Sequence, residues 1–95
     1  MKRSYKQNCA LAHALDMVGE RWTLLLVREL MIGPCRYGEL RENLAGIGTN
    51  LLADRLRQMT GQGLITKDNG RYLLTPKGRQ LEPVVASLVQ FGLSL

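Results

Sequence analysis

The segment 46–63, GIGTNLLADRLRQMTGQG, constrains the fold most strongly, because it predicts a helix with two occupied faces. At about 100° per residue, Leu52, Leu56 and Met59 fall on one apolar face. The opposite face carries small and polar side chains, namely Asn50, Ala53, Asp54 and Arg57. Thr49 can cap the start of this helix, and the glycines at 61 and 63 can end it. We therefore expect one face to pack on a core and the other to contact a partner.

The segment immediately before it, 35–45, predicts a second and shorter helix. Its sequence is CRYGELRENLA, in which Leu40 and Leu44 are four residues apart and share one face. A short turn with glycines at 46 and 48 joins the two predicted helices. Two helices joined in this way form a helix-turn-helix.

The chain before this pair predicts an arm and two helices. Residues 1–8 are polar and basic, with Lys2, Arg3 and Lys6, and are predicted to form an N-terminal arm. Apolar residues then recur at steps of three and four through 9–18, which predicts an amphipathic helix ending at Gly19. The segment 20–34, ERWTLLLVRELMIGP, is apolar on almost every side and predicts the central buried helix. We interpret Trp22 as a core anchor rather than a functional aromatic residue.

The chain after the helix predicted within 46–63 predicts a β-hairpin and a last helix. Two short runs, 64–67 and 71–74, flank the turn Asp68-Asn69-Gly70, and Asn-Gly favours a tight hairpin turn because both residues accept positive φ. A hairpin directly after the second helix of a helix-turn-helix is a wing. The last segment, 76–95, predicts one amphipathic helix that Pro83 bends. Its apolar pattern still continues at residue 95, so we expect the chain to be the N-terminal part of a longer protein.

The composition favours one small helical domain with an anionic partner. The chain has 95 residues and is 45% hydrophobic with only one Trp and one Phe, so the core must be aliphatic. Thirteen Lys and Arg against eight Asp and Glu give a net charge of +5. This balance favours nucleic acid first and an acidic membrane surface second. The apolar runs are too short to span a bilayer, and we expect a cytoplasmic protein without membrane insertion.

Five blocks of sequence in this order resemble the HxlR family of bacterial transcription regulators. They are ALDMVGERWTLLLVREL (14–30), GPCRYGELR (33–41), GIGTNLLADRLR (46–57), GLI (63–65) and LTPKGRQLEPV (74–84). The resemblance extends from Cys9 to Gly92. It implies a mainly α (α+β) fold over 9–95, a winged helix-turn-helix with additional N- and C-terminal helices for dimerisation. It also implies a homodimeric DNA-binding repressor or activator.

The candidate site residues follow from this reading. Asn50 can pair with adenine, Ala53 can meet a thymine methyl group, and Arg57 can reach a phosphate or a guanine. The candidate DNA-binding residues are Thr49, Asn50, Ala53, Asp54, Arg57, Arg36, Lys67, Asn69 and Arg71. The candidate dimer residues, which form apolar stripes on the two terminal helices, are Leu11, Leu15, Leu81, Val85 and Leu88. The alternative for the polar residues is an ordinary solvated surface.

Cys9 is a candidate sensor of oxidants or of an electrophilic small molecule. It lies four residues before His13, so the two side chains can share a helix face, and an imidazolium or a helix N-terminus can activate a thiol. Some proteins that resemble the HxlR family use a cysteine near this position in that way. The alternative is a small buried or interfacial residue, which we favour for Cys9 and favour more strongly for Cys35. Two ligands are too few for a structural zinc site, so we expect no metal.

The sequence favours neither an enzyme nor a cofactor protein. It has one His and lacks a phosphate-binding glycine loop and any nucleophile–base pattern, so we expect no catalysis and no cofactor. The main alternative function is a winged-helix module that docks a protein rather than DNA. Salt dependence separates the two, because counterion release weakens a DNA complex steeply as salt rises.

Overall fold

The structure is a computed structural model and describes residues 9–95, so the arm predicted over 1–8 lies outside the described residues. In chain order the helices and strands are α1 (Ala10–Val18), α2 (Arg21–Ile32), α3 (Tyr37–Asn43), α4 (Thr49–Gly61), β1 (Ile65–Asp68), β2 (Arg71–Leu74), α5 (Pro76–Arg79) and α6 (Glu82–Leu93). Within the described part of the chain, no helix is long and apolar enough to cross a bilayer. The mainly helical winged helix-turn-helix expected from the sequence is confirmed.

The core forms where α2 crosses the helix-turn-helix and the hairpin. Leu26, Val27 and Leu30 of α2 are almost completely buried. The apolar face predicted for α4 is also confirmed, since Leu52, Leu56 and Met59 are at most 2% exposed. The core consists of aliphatic residues and one methionine: Val18, Leu26, Val27, Leu30, Leu40, Leu44, Ile47, Leu52, Leu56, Met59, Leu64, Ile65, Leu74 and Val85. Trp22 is half-buried and packs against this cluster, as expected of an anchor.

The hairpin has the predicted turn. β1 and β2 pair antiparallel, with Asp68 opposite Arg71, and the turn residues Asn69 and Gly70 have φ of 53° and 77°. These are the two positive φ values that a tight hairpin turn requires. The first strand begins one residue later than predicted, at Ile65, and Leu64 before it is buried in the core.

Three details of the sequence-based expectation are wrong. Thr49 does not cap α4; Gly48 holds the cap position, and Thr49 is the first helical residue. α3 begins at Tyr37, whereas Cys35 lies in an extended segment paired with Tyr72. The last helix is not a single bent helix.

The last segment breaks into α5 and α6 because of Pro83. This residue has no N–H to donate to the carbonyl of Arg79, and its ring clashes with that carbonyl in a continuous helix. α5 therefore ends at Arg79, and Pro83 falls in the first turn of α6, where a missing N–H carries no penalty.

Candidate nucleic-acid interface

The outer face of α4 is exposed and polar, as the sequence predicts. Thr49, Asn50, Asp54 and Arg57 are exposed, and Ala53 is half-buried among them. An Arg57 guanidinium nitrogen contacts an Asp54 carboxylate oxygen, one turn away. This ion pair partly neutralises Arg57 and holds it on the exposed face.

The turn between α3 and α4 sets the direction of α4 relative to α3. Gly46 has φ of 93°, a conformation that side-chain-bearing residues rarely adopt, and Ile47 inserts into the core directly after it. The Tyr37 hydroxyl donates a hydrogen bond of 3.1 Å to the carbonyl oxygen of Thr49. The first turn of α4 is therefore attached to the first turn of α3.

The wing carries exposed basic and polar groups. Lys67, Asn69 and Arg71 are all exposed. The Lys67 ammonium lies 5.2 Å from the centre of the Tyr72 ring, within the range of a cation–π contact. The hairpin thus presents two cationic side chains on either side of its turn.

The segment before α3 joins the wing. Cys35 and Tyr72 exchange two backbone hydrogen bonds, of 3.0 and 2.7 Å, which add a short third strand to the hairpin. Arg36 follows directly, and its guanidinium lies close to the turn, since a Cβ at Gly70 would be 3.0 Å from Nη1. Arg36 thus lies beside the wing rather than on α3.

An open cavity of about 510 Å³ separates α4 from the wing. Its floor includes apolar and aromatic side chains, and it has Arg57 on the helix side and Lys67 on the wing side. The lining residues are Tyr37, Ala53, Leu56, Arg57, Thr60, Gly61, Lys67 and Tyr72. The fold therefore brings together two cations that are ten residues apart in sequence, at opposite edges of one groove.

The apolar residues of α1 and α6 form a second surface. Leu11, Leu15 and Leu88 are 66%, 53% and 50% exposed, respectively. Val85, by contrast, is buried in the core and Leu81 is half-buried against it, so these two candidate dimer residues pack mainly within the protomer. The exposed leucines border an apolar groove of about 550 Å³ between α1 and α6.

The two cysteines lie in different environments and form no disulfide. Cys9 is half-buried at the N-cap of α1, and its carbonyl oxygen accepts a hydrogen bond from the backbone N–H of His13. The Cys35 thiol lies 3.5 Å from the carbonyl oxygen of Gly33, to which it donates. Burial raises the pKa of the Cys35 thiol, and the carboxylates of Glu39 and Glu29 raise it further. Residues 9–95 contain no cluster of three or more metal-ligating side chains.

Sequence reasoning missed Glu20 and Arg55, which join α2 to α4. The Glu20 carboxylate caps α2 and lies 3.4 Å from Nε of Arg55. The acidic residue just before α2 was a usable signal for the cap. No local pattern connects two residues that are so far apart in the chain.

Comparison with known proteins assigns this arrangement to a family. The model of the HxlR-like helix-turn-helix family matches residues 17–95, from the end of α1 through α6. The chain belongs to the HxlR-like helix-turn-helix family. The resemblance stated from the sequence blocks is confirmed.

HxlR-like relatives are named as transcription regulators. An uncharacterized HTH-type transcriptional regulator of Synechocystis is 34% identical over 88% of this chain and 67% of its own length. Another, from Mycobacterium tuberculosis, is 39% identical over 87% of this chain. The chain spans only 56% of the Mycobacterium protein.

The solved structures that resemble this chain include a redox regulator and a quinone-bound protein. The redox regulator HypR in its oxidized form superposes with a TM-score of 0.86 at 28% identity, covering 92% of this chain and 97% of HypR. Quinone-bound YodB from Bacillus subtilis superposes with a TM-score of 0.81 at 28% identity, covering 90% of this chain and 97% of YodB.

Proposed function

We propose that this protein is a transcription regulator that binds a pseudo-palindromic DNA operator as a homodimer and has no catalytic role. It acts in the cytoplasm, where its DNA lies. The observation that carries the proposal is the exposed polar face of α4 beside a basic wing in an HxlR-like fold. In this proposal α4 enters the major groove, and Asn50 contacts base edges there. The wing and Arg36 hold the sugar–phosphate backbone.

The two sets of residues make different contributions to binding. Asn50 has an amide that can pair with one base, whereas Arg71 and Lys67 supply charge that any duplex can neutralise. Arg57, partly paired with Asp54, can supply either kind of contact. Loss of a base contact should lower specificity, and loss of a phosphate contact should lower affinity for every sequence alike.

The test begins with selection of a binding site from a random duplex library by the purified protein. Isotherms are then measured on the selected and on scrambled duplexes at several salt concentrations. Asn50→Ala should lose about 1–3 kcal/mol on the selected duplex only. Arg71→Ala should weaken binding to both and reduce the slope of log K against log salt by about one unit. Asn43→Ala, on α3, and Arg79→Ala, on α5, are the matched controls.

Three results would contradict this division of labour. If Asn50→Ala weakens both duplexes equally, α4 is not the reader. If selection enriches no sequence, the protein is not a sequence-specific regulator. Binding to a protein partner that is insensitive to salt would instead support a winged-helix interaction module.

The dimer rests on the apolar surface of α1 and α6. Leucines that are half or more exposed on two adjacent helices are typical of a surface that a partner subunit covers. A two-fold dimer would place two α4 helices about 34 Å apart, in successive major grooves, so the half-sites should lie about one helical turn apart.

The effector in this proposal is an oxidant or an electron-poor small molecule such as a quinone, acting at Cys9. Two observations support it. Cys9 lies at the start of α1, the helix that carries Leu11 and Leu15 of the proposed dimer surface, and two structural neighbours are a redox regulator and a quinone-bound protein. Modification of Cys9 would then change the dimer arrangement and with it the spacing of the two α4 helices.

A further inference from the structure

Glu20 lies at the joint between α1 and α2 and makes several contacts there. Its Oε1 accepts hydrogen bonds from the backbone N–H groups of Trp22 and Thr23, at 3.0 and 3.2 Å. The Thr23 hydroxyl is a third donor, at 3.4 Å. A carboxylate in this position satisfies the free N–H groups of the helix and is favoured by the helix dipole. The position of the carboxylate is therefore set by α2.

The same carboxylate also contacts α4. Nε of Arg55 lies 3.4 Å from Glu20 Oε1, and the Arg55 side chain is only 24% exposed. Within the described residues this nitrogen is buried and has no hydrogen-bond acceptor in good geometry. The guanidinium is partly exposed, and the ion pair with Glu20 places a counter-charge beside its buried Nε. The guanidinium also donates to the Gln58 side chain, which lies on the same helix.

Gly19 ends α1 and directly precedes Glu20 in the chain. The backbone N–H of Gly19 donates to the carbonyl oxygen of Leu15 at 2.8 Å. A Cβ at Gly19 would lie 2.5 Å from that same oxygen. The position before Glu20 therefore has no room for a side chain.

Arg55 does not belong to the face of α4 assigned to DNA. At about 100° per residue it lies roughly 160° around the helix from Arg57 and 140° from Asn50. A contact on this side of the helix can set its rotation and height without touching the duplex. Specific recognition requires base-contacting groups to be held within about 0.5 Å, so a small displacement of the helix is enough to impair it.

We propose that Glu20 is a positioning residue for DNA reading, which sets the orientation of α4 through its ion pair with Arg55. The inference rests on the proposed function, because it deepens the role assigned to α4. Exposed or half-exposed ion pairs contribute little to stability, so the link acts on orientation rather than on folding. It predicts a loss of specificity without a matching loss of stability.

The test is a double-mutant cycle with Glu20→Gln, Arg55→Gln and the double variant. Glutamine keeps the oxygen that accepts from Trp22 and Thr23, so α2 stays capped while the charge is removed. The matched control is Glu82→Gln, which removes the same charge from the Arg79–Glu82 pair of α5 and α6. Four quantities are measured for each variant: affinity for the selected duplex, affinity for a scrambled duplex, hydrogen exchange of the α4 amides without DNA, and the free energy of unfolding.

Relative to Glu82→Gln, we expect Glu20→Gln to lose about 3- to 30-fold in the ratio of selected to scrambled affinity. This loss lies within the range of coupling energies between contacting residues. Arg55→Gln should lose a similar factor, and the double variant no more than either single variant. Both single variants should exchange the α4 amides faster while their unfolding free energy stays near that of the wild type.

Two results would overturn the inference while leaving the proposed function intact. In the first, the wild type clearly prefers the selected duplex over the scrambled one, and Glu20→Gln keeps that preference. In the second, the losses of specificity of the two single variants add up in the double variant. A wild-type protein with no preference between the duplexes would instead refute the proposed function. In that case hydrogen exchange alone decides whether Glu20 orients α4, and unchanged exchange in both single variants would refute the link.

Discussion

Gly78 tests the packing of the hairpin against α5. It lies in α5 and is buried, and a Cβ built on it would lie 2.0 Å from the carbonyl oxygen of Leu64 and 3.2 Å from a methyl carbon of Leu74. The Leu64 oxygen also accepts a hydrogen bond of 3.1 Å from the backbone N–H of Thr75. Gly78→Ala must therefore push α5 away from the segment that leads into β1.

The magnitude follows from these contacts. Overpacking of a well-filled site costs about 1–3 kcal/mol, and loss of the Leu64–Thr75 hydrogen bond adds about 1 kcal/mol. The higher helix propensity of alanine offsets up to about 1 kcal/mol of this loss in the free energy of unfolding. We expect a net loss of about 2–3 kcal/mol in the free energy of unfolding. In a domain of this size that is a fall in Tm of about 10–20 °C.

The assay is urea unfolding followed by circular dichroism at one fixed protein concentration, because association would shift the midpoint. The control is Gly38→Ala in α3, where nothing lies within 4 Å of the new methyl group. Gly38→Ala should leave stability unchanged or raise it by up to about 1 kcal/mol. If Gly78→Ala unfolds at the same urea concentration as Gly38→Ala, the close approach does not constrain the fold.

The remaining predictions concern the dimer and the thiols. Leu88→Asp places a charge in the apolar groove, so in sedimentation the protein should shift from dimer to monomer or aggregate. The control Gln90→Asp should stay dimeric. A wild-type protein that sediments as a monomer at micromolar concentration would refute the dimer. Diamide should change the affinity of the wild type for the selected duplex but not that of Cys9→Ser; equal responses would exclude Cys9 as the sensor. The pKa of the Cys35 thiol is raised, so this thiol stays protonated at neutral pH. Iodoacetamide should therefore label Cys35 slowly at pH 7 and faster as the pH rises above 9. Labelling is followed by mass spectrometry of the Cys9→Ser variant, in which Cys35 is the remaining cysteine. Rapid labelling of Cys35 at pH 7 would contradict this.

Local patterns predicted the elements that depend on neighbouring residues. The turn at Asn69 and Gly70 needs positive φ at both positions, and that requirement is visible in two letters of sequence. The buried face of α4 follows from a helical period in Leu52, Leu56 and Met59. The polar face opposite was predicted by the same projection.

Features that depend on tertiary contacts were missed or wrong. The pairing of Cys35 with Tyr72 joins segments 37 residues apart, and no periodicity reveals it. Val85 follows the apolar stripe of α6, and the sequence pattern alone does not show that this side chain is buried in the core of the protomer. The Glu20–Arg55 pair is likewise a contact between distant segments.

The backbone bridge between Cys35 and Tyr72 has a mechanical consequence. It ties the wing to the segment that leads into α3, and α3 is tied in turn to the start of α4 by the Tyr37 hydroxyl. These contacts join the helix and the wing through α3. If the joined elements keep their relative positions in the DNA complex proposed above, the duplex must supply the bending and the groove-width adjustment. Base pairs that the protein never touches would then contribute to the choice of site through their flexibility.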